Sequence, residues 1–191
     1  NAFAGEWARR GLAEPAFAAY AADREKVGFP RTMIDKITPR PDAKVVEILR
    51  ADGFEDAEPI RTAKGSFVAP FVNAEETQYL VVEDWFPNGR PRLETARGVT
   101  FATRETVERA ERMKVTTCLN PLHTALAIFG CLLGYTRISE EMKDPSLRRM
   151  VEEIGRREGL PVVTDPGVID PGEFLDTVIN ARLPNAFLPD S

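Results

Sequence analysis

The sequence predicts an α+β fold that becomes mostly α toward its C-terminal half. Two observations lead there. Stretches rich in β-branched residues, bracketed by proline or an Asn-Gly turn, are confined to about the first hundred residues. From Thr103 onward, capping residues and apolar positions spaced by three and four replace them. With 43% hydrophobic and 29% charged residues in 191, the chain has the composition of a globular protein rather than a disordered one.

Residues 5–26 are alanine-rich and poor in β-branched residues, which predicts one or two helices broken near Pro15. Val27 to Pro41 predicts a strand running into a proline-bracketed loop. Asp42 to Gly53 begins with a capping aspartate, carries an apolar stripe and closes on glycine, the marks of a short helix. "GSFVAPFVN", "TQYLVVEDWF" and "GVTFAT" predict strands, with an Asn-Gly turn between Pro87 and Arg92. Thr103 is placed to cap a helix whose Val107, Ala110, Glu111 and Lys114 share one face.

Asn120 and Pro121 then suit the cap and first position of another helix, with Leu122, Ala125, Leu126, Phe129 and Leu133 expected inward and Gly134 at its stop. "DPSLRRMVEEIGRREG" is the clearest amphipathic segment. It should bury Leu147, Met150, Val151 and Ile154 and pair Asp144/Arg148, Glu152/Arg156 and Glu153/Arg157 outside. Asp170 to Leu183 predicts a last helix.

A net charge of −5 with no basic patch argues against nucleic acid as a partner. No apolar run reaches the 18 residues that a membrane span asks for, so no membrane partner is expected. Two cysteines, Cys118 and Cys131, make no disulfide framework, and a reducing, cytoplasmic home is expected. "NAFAGEWARRG" has neither the basic nor the apolar region of a signal peptide, and both ends read as cut from a longer chain.

The polar cluster Glu111, Lys114, Asn120 and His123 holds the only histidine of the chain. One reading is structural: a helix start with a polar cap and a solvated lysine. The other is chemical. Asn120 and His123, three apart, project from one end of a helix whose positive pole favours an oxygen-rich ligand. A lysine held partly dehydrated beside other donors can act as a general base near neutral pH, a role open to Lys114, and Glu111 would relay protons to solvent. Asn120 and His123 would stabilise a reacting oxygen. One histidine and two separated cysteines do not supply a metal cluster, so no metal is expected. No glycine-rich phosphate-binding signature occurs.

Several stretches in order carry a resemblance. "MKVTTCLNPLHTALAIFGCLLGY" (113–135), "EEMKDPSLRRMVEEI" (140–154), "FPRTMIDKITP" (29–39), "YLVVEDWFPNGRPRLETARGVTF" (79–101) and "NARLPNAF" (180–187) resemble the mannitol dehydrogenase family of long-chain polyol and sugar-acid dehydrogenases. The resemblance implies residual strands of a Rossmann-type nucleotide-binding domain over 1–102 and a helical substrate domain over 103–191. It implies NAD or NADP as cofactor, bound by residues upstream of Asn1, and a small sugar acid or polyol as substrate, with no metal. The reaction it implies interconverts a ketose or keto-sugar acid and its alcohol, of the fructuronate, tagaturonate or fructose type.

By position, Lys114 is implied as general acid/base, Asn120 and His123 as ligands of the reacting oxygen, and Glu111 as proton relay. Asp35 would line the site, and Arg182 would hold distal hydroxyls or a carboxylate. The spacing here is K-x5-N-x2-H against the family's K-x4-N-x2-H, a departure that displaces the lysine by one residue unless a bulge before Asn120 absorbs it. By itself the chain is expected to be inactive. The alternative from another class is a non-catalytic helical binding or assembly module that keeps the fold.

Overall fold

A computed structural model describes residues 2–34, 36, 41–72, 74 and 79–186. Two compact units emerge, and neither follows chain order. The first comprises Asn1–Ile34 and Tyr79–Ala110, the second Asp35–Gln78 and Glu111–Ser191.

In the first unit, helices α1 (Ala2–Arg9) and α2 (Pro15–Ala22) pack against each other, separated near Pro15 as expected. Proline starts α2 at a position where its missing N–H costs nothing. The sheet consists of β1 (Thr32–Ile34), β4 (Leu80–Glu83) and β5 (Val99–Ala102), with β4 in the centre. β1 runs antiparallel to β4, with Thr32 opposite Val82, while β5 runs parallel to β4, with Leu80 opposite Val99. A central strand is covered on both faces, and Val81, Val82 and Glu83 are accordingly buried. The Asn88-Gly89 turn forms where it was expected, Gly89 taking φ +77° and donating its N–H to Phe86 O at 3.0 Å. Thr103 Oγ1 accepts the Thr106 N–H at 3.2 Å and caps α4 (Arg104–Arg112).

The second unit begins with α3 (Ala43–Ala51), capped by Asp42 through the Lys44 N–H at 2.8 Å and closed at Gly53, φ +84°. The strand expected at Phe67 exists only as a two-residue hairpin, β2 (Ile60–Arg61) with β3 (Phe67–Val68), and its residues are exposed.

Most of its remaining described residues lie in helices, among them α5 (Asn120–Leu132), α6 (Ile138–Glu141), α7 (Pro145–Glu152) and α8 (Pro171–Thr177). Three of its helical runs pass from α to π geometry or the reverse. The π turns are π1 (Met113–Cys118, before α5), π2 (Glu153–Gly159, after α7) and π3 (Val178–Arg182, after α8). They lie in the core: Met113, Cys118, Leu122, Leu126, Val151, Leu175, Val178 and Ile179 are all at most 1% exposed. Gly155 in π2 sits against Leu175 and Leu122, where an added Cβ would come within 2.9 Å of Leu175 Cδ1.

Three expectations change here. The buried stripe of α5 runs Leu122–Leu126–Gly130, whereas Phe129 and Leu133 are exposed. Asp144 caps α7 through the Ser146 and Leu147 N–H groups instead of pairing with Arg148, which takes Glu152 at 3.2 Å. Arg156 reaches Asp176 on α8 at 2.5 Å rather than Glu152. Only Glu153/Arg157 pairs as expected, at 2.7 Å. Finally, the helical run Arg104–Leu132 has the length and composition of a bilayer span, a test that the core helix of a soluble protein also passes.

Candidate active site

Lys114 lies in π1 and Asn120 opens α5, so one helical run carries the whole cluster. The Leu119 N–H donates to Lys114 O at 3.0 Å, a five-residue span that defines the π turn. Leu119 alone leaves helical geometry, at φ −128°, and its carbonyl then receives the His123 N–H at 3.0 Å. The cap position therefore belongs to Leu119, not Asn120. Asn120 is the first helical residue and Pro121 the second. The cause is local: π1 runs so closely into α5 that no room remains for an extended residue with a capping side chain.

A π turn holds about one residue more than an α turn, so the residues after it are shifted in phase by one position. Lys114, six residues before Asn120, thus takes a phase close to that of a lysine five residues before it on an uninterrupted α-helix. The extra residue is absorbed by a bulge, and that bulge is helical. Glu111 and Lys114 are three apart at the end of α4 and the start of π1, and both are half-buried. His123 is half-buried and Asn120 exposed. Arg182 sits at the end of π3, 8% exposed, in the same unit. Asp35 lies outside the described residues.

The electrostatic setting holds a group that the sequence did not single out. Glu141, at the end of α6, is 2% exposed, and its carboxyl is pushed up by burial while the charge of His123 pulls it back down. Its nearest neighbour in α5 is Gly130, the one feature that could have flagged it, since an isolated glycine inside an apolar helix marks close approach. Cys118 is buried, its thiol pushed up to about 11 by desolvation, and it points at Pro171 O at 3.8 Å. That is the behaviour of a structural thiol, not a nucleophile. Among the described residues, no three or more His, Cys, Asp or Glu side chains converge as metal ligands do.

The first unit holds a different polar feature. Buried Glu83 accepts the Arg31 backbone N–H at 2.9 Å and the Arg104 Nε at 3.2 Å, and these donors, the backbone one first, hold its carboxyl below the usual range. A cleft of about 380 Å³ lined by Arg24, Val27, Phe29, Trp85 and Arg104 lies beside it. It contains none of the cluster residues.

This fold is shared with solved polyol dehydrogenases. D-sorbitol dehydrogenase in substrate-free form matches with a TM-score of 0.76 and 26% identity, over 96% of this chain and 34% of that one. Pseudomonas fluorescens mannitol 2-dehydrogenase, solved as a ternary complex with NAD and D-mannitol, matches with a TM-score of 0.63 and 27% identity, over 92% and 32%. Among curated proteins, D-mannonate oxidoreductase of Thermotoga maritima is 59% identical over 187 residues, 97% of this chain and 34% of that protein. Polyol:NADP oxidoreductase of Gluconobacter oxydans is 31% identical over 189 residues, 94% and 36%. The chain is thus similar to named mannonate and polyol oxidoreductases along nearly its whole length, and it spans about a third of the length of the curated relatives it matches. No protein-family model matches it.

Proposed function

We propose that this chain is part of an NAD(P)-dependent oxidoreductase that interconverts a keto-sugar acid or ketose and its alcohol without a metal. The observation that carries the reading is the run Glu111–His123, which sets an acid, a lysine, an amide and an imidazole along one helix inside an apolar unit. The 59% identity to a D-mannonate oxidoreductase favours a sugar acid among the substrates. A buried guanidinium at Arg182 suits its carboxylate. Residues 1–102 would hold the end of the nucleotide-binding domain and 103–191 most of the helical substrate domain, with 35–78 of the former belonging to the compact unit of the latter.

The described residues contain no glycine-rich turn between a strand and a helix that would cradle a dinucleotide. Its binding residues belong upstream of Asn1 in this reading, and no step is derived through it. When bound, the nicotinamide supplies or accepts the hydride. The chain's own residues manage the oxygen and its proton. Asn120 and His123 hydrogen-bond the substrate oxygen and stabilise charge building there. In reduction Lys114 gives that oxygen a proton as the carbonyl becomes an alcohol. In oxidation the neutral amine takes the proton back, and Glu111 passes it on to solvent.

Lys114→Ala and His123→Ala in the full-length protein test this, assayed with keto-sugar acids and ketoses and either reduced cofactor. Each should cost about 10²–10⁴ in kcat. Turnover that survives both changes sinks the mechanism.

A further inference from the structure

We infer that the cleft of the first unit binds a compact apolar carboxylate, at a site separate from the polar cluster of the second. Arg24 and Arg104 take the carboxylate, and Val27, Phe29 and Trp85 take the apolar body. Its volume of about 380 Å³ lies within the range of small-ligand pockets, about 300–1,000 Å³.

Hydrogen bonds and close packing set the walls. α2 ends at Asp23, whose carboxylate accepts the Glu25 N–H at 3.0 Å and pairs with Lys26 at 2.9 Å. The Asn88 side-chain amide donates to Lys26 O at 2.8 Å and ties this loop to the turn after β4. Gly28 completes the seam, since a Cβ there would come within 2.8 Å of Trp85 O.

The charge of the cleft runs against that of the chain. The net charge is −5, yet two guanidinium groups and no carboxylate line the cleft among the described residues. Arg24 lies over the Trp85 ring, 4.1 Å from its centroid, a contact that holds the guanidinium to the wall and leaves its N–H donors at the rim. Arg104 commits its Nε to Glu83 at 3.2 Å, and its two terminal nitrogens make no hydrogen bond among the described residues. Glu83 thus offsets one of two cations, and the surplus favours an anion.

The remaining lining selects the kind of anion. Phe29 is exposed, Val27 and Trp85 half-buried, and all three offer mainly carbon. A ring attached to the carboxylate removes that surface from water, which neither free phosphate nor a polyhydroxylated acid does as well. Position separates the cleft from Asp35. Trp85 and Arg104 follow the C-terminal ends of β4 and β5, whereas Ile34, the last residue of β1, pairs with Leu80 at the other end of the sheet. Lys114, Asn120 and His123 belong to the second unit.

Isothermal titration calorimetry of the full-length protein with naphthoate, at saturating NADH, tests the site. Naphthoate should bind with a dissociation constant of about 1 mM or tighter, and inorganic phosphate and gluconate about tenfold more weakly or worse. Arg24→Gln should weaken naphthoate by about tenfold or more while keto-sugar reduction is unchanged. Ala22→Trp, which fills the cleft from the exposed side of α2, should abolish binding and keeps the test open if Arg24→Gln does not fold. No saturable binding at about 10 mM naphthoate overturns the inference. So does binding that both folded variants retain. Displacement of naphthoate by NADH, or loss of turnover in folded Arg24→Gln, overturns the separateness of the site, and equal affinity for phosphate overturns its apolar character.

Discussion

At the scale of residues, the molecule is governed by what buried polar atoms find to bond. Glu83 is satisfied by a backbone N–H and a guanidinium, and its depressed carboxyl makes a stability statement. Because the folded group is ionised more readily than the unfolded one, its contribution is present above the ordinary carboxylate range. It is lost as pH falls through the depressed value. Glu83→Gln should therefore cost roughly 1–3 kcal/mol near neutrality and progressively less in acid, as measured by urea denaturation across pH. Cys118 and Cys131 differ in the same terms. The exposed Cys131 should take up a thiol reagent at once, while Cys118, buried and pushed up to about 11, should label only on unfolding.

The sequence reveals Lys114, Asn120 and His123 because they are unusual letters beside an apolar run. It does not reveal Glu141, because a second glutamate in "SEEMKD" looks solvated until tertiary contacts bury it. Nor does it tell that Arg156 prefers Asp176, twenty positions away, to the near neighbour Glu152.

At the scale of elements, the helices were legible and their geometry was not. Capping residues at Asp42 and Thr103 announce two helix starts, and both oxygens accept backbone N–H groups; Asp144 and Asp170 cap two more helices without having been read as caps. Gly134 announces a stop. At φ +89° it closes α5 with Tyr135 N–H to Gly130 O at 2.9 Å and its own N–H to Cys131 O at 3.1 Å. Gly134→Ala should cost about 1 kcal/mol in thermal unfolding, since a Cβ disfavours that left-handed conformation.

The π turns escape detection because apolar positions spaced by four fit α and π geometry alike. Only the extra residue between Lys114 and Asn120 betrays π1. Deleting Thr116, an exposed residue in that turn, should convert it to α geometry. The lysine would then keep its phase, and kcat should stay within about tenfold of the parent. Inserting one residue there should instead turn Lys114 by about 100° and abolish turnover with the fold retained by circular dichroism.

At the scale of the whole molecule, chain order and compactness part company. A change from mixed to helical character near residue 102 is visible in the sequence. The interleaving of the compact units is not, because it depends on which distant segments pack together. The helical unit should unfold as one body. Leu122→Ala, removing a fully buried side chain from its core, should cost about 2–5 kcal/mol in denaturant titration. Residues 103–191 expressed alone should lack a cooperative transition, for they omit 35–78 of that unit. The same interleaving sets a timetable on the ribosome. The segment 1–34 emerges before the 79–110 with which it forms one unit, and 35–78 before the 111–191 that complete the other. Neither unit can close while its other half is still being synthesised, which leaves apolar surface uncovered in the interval.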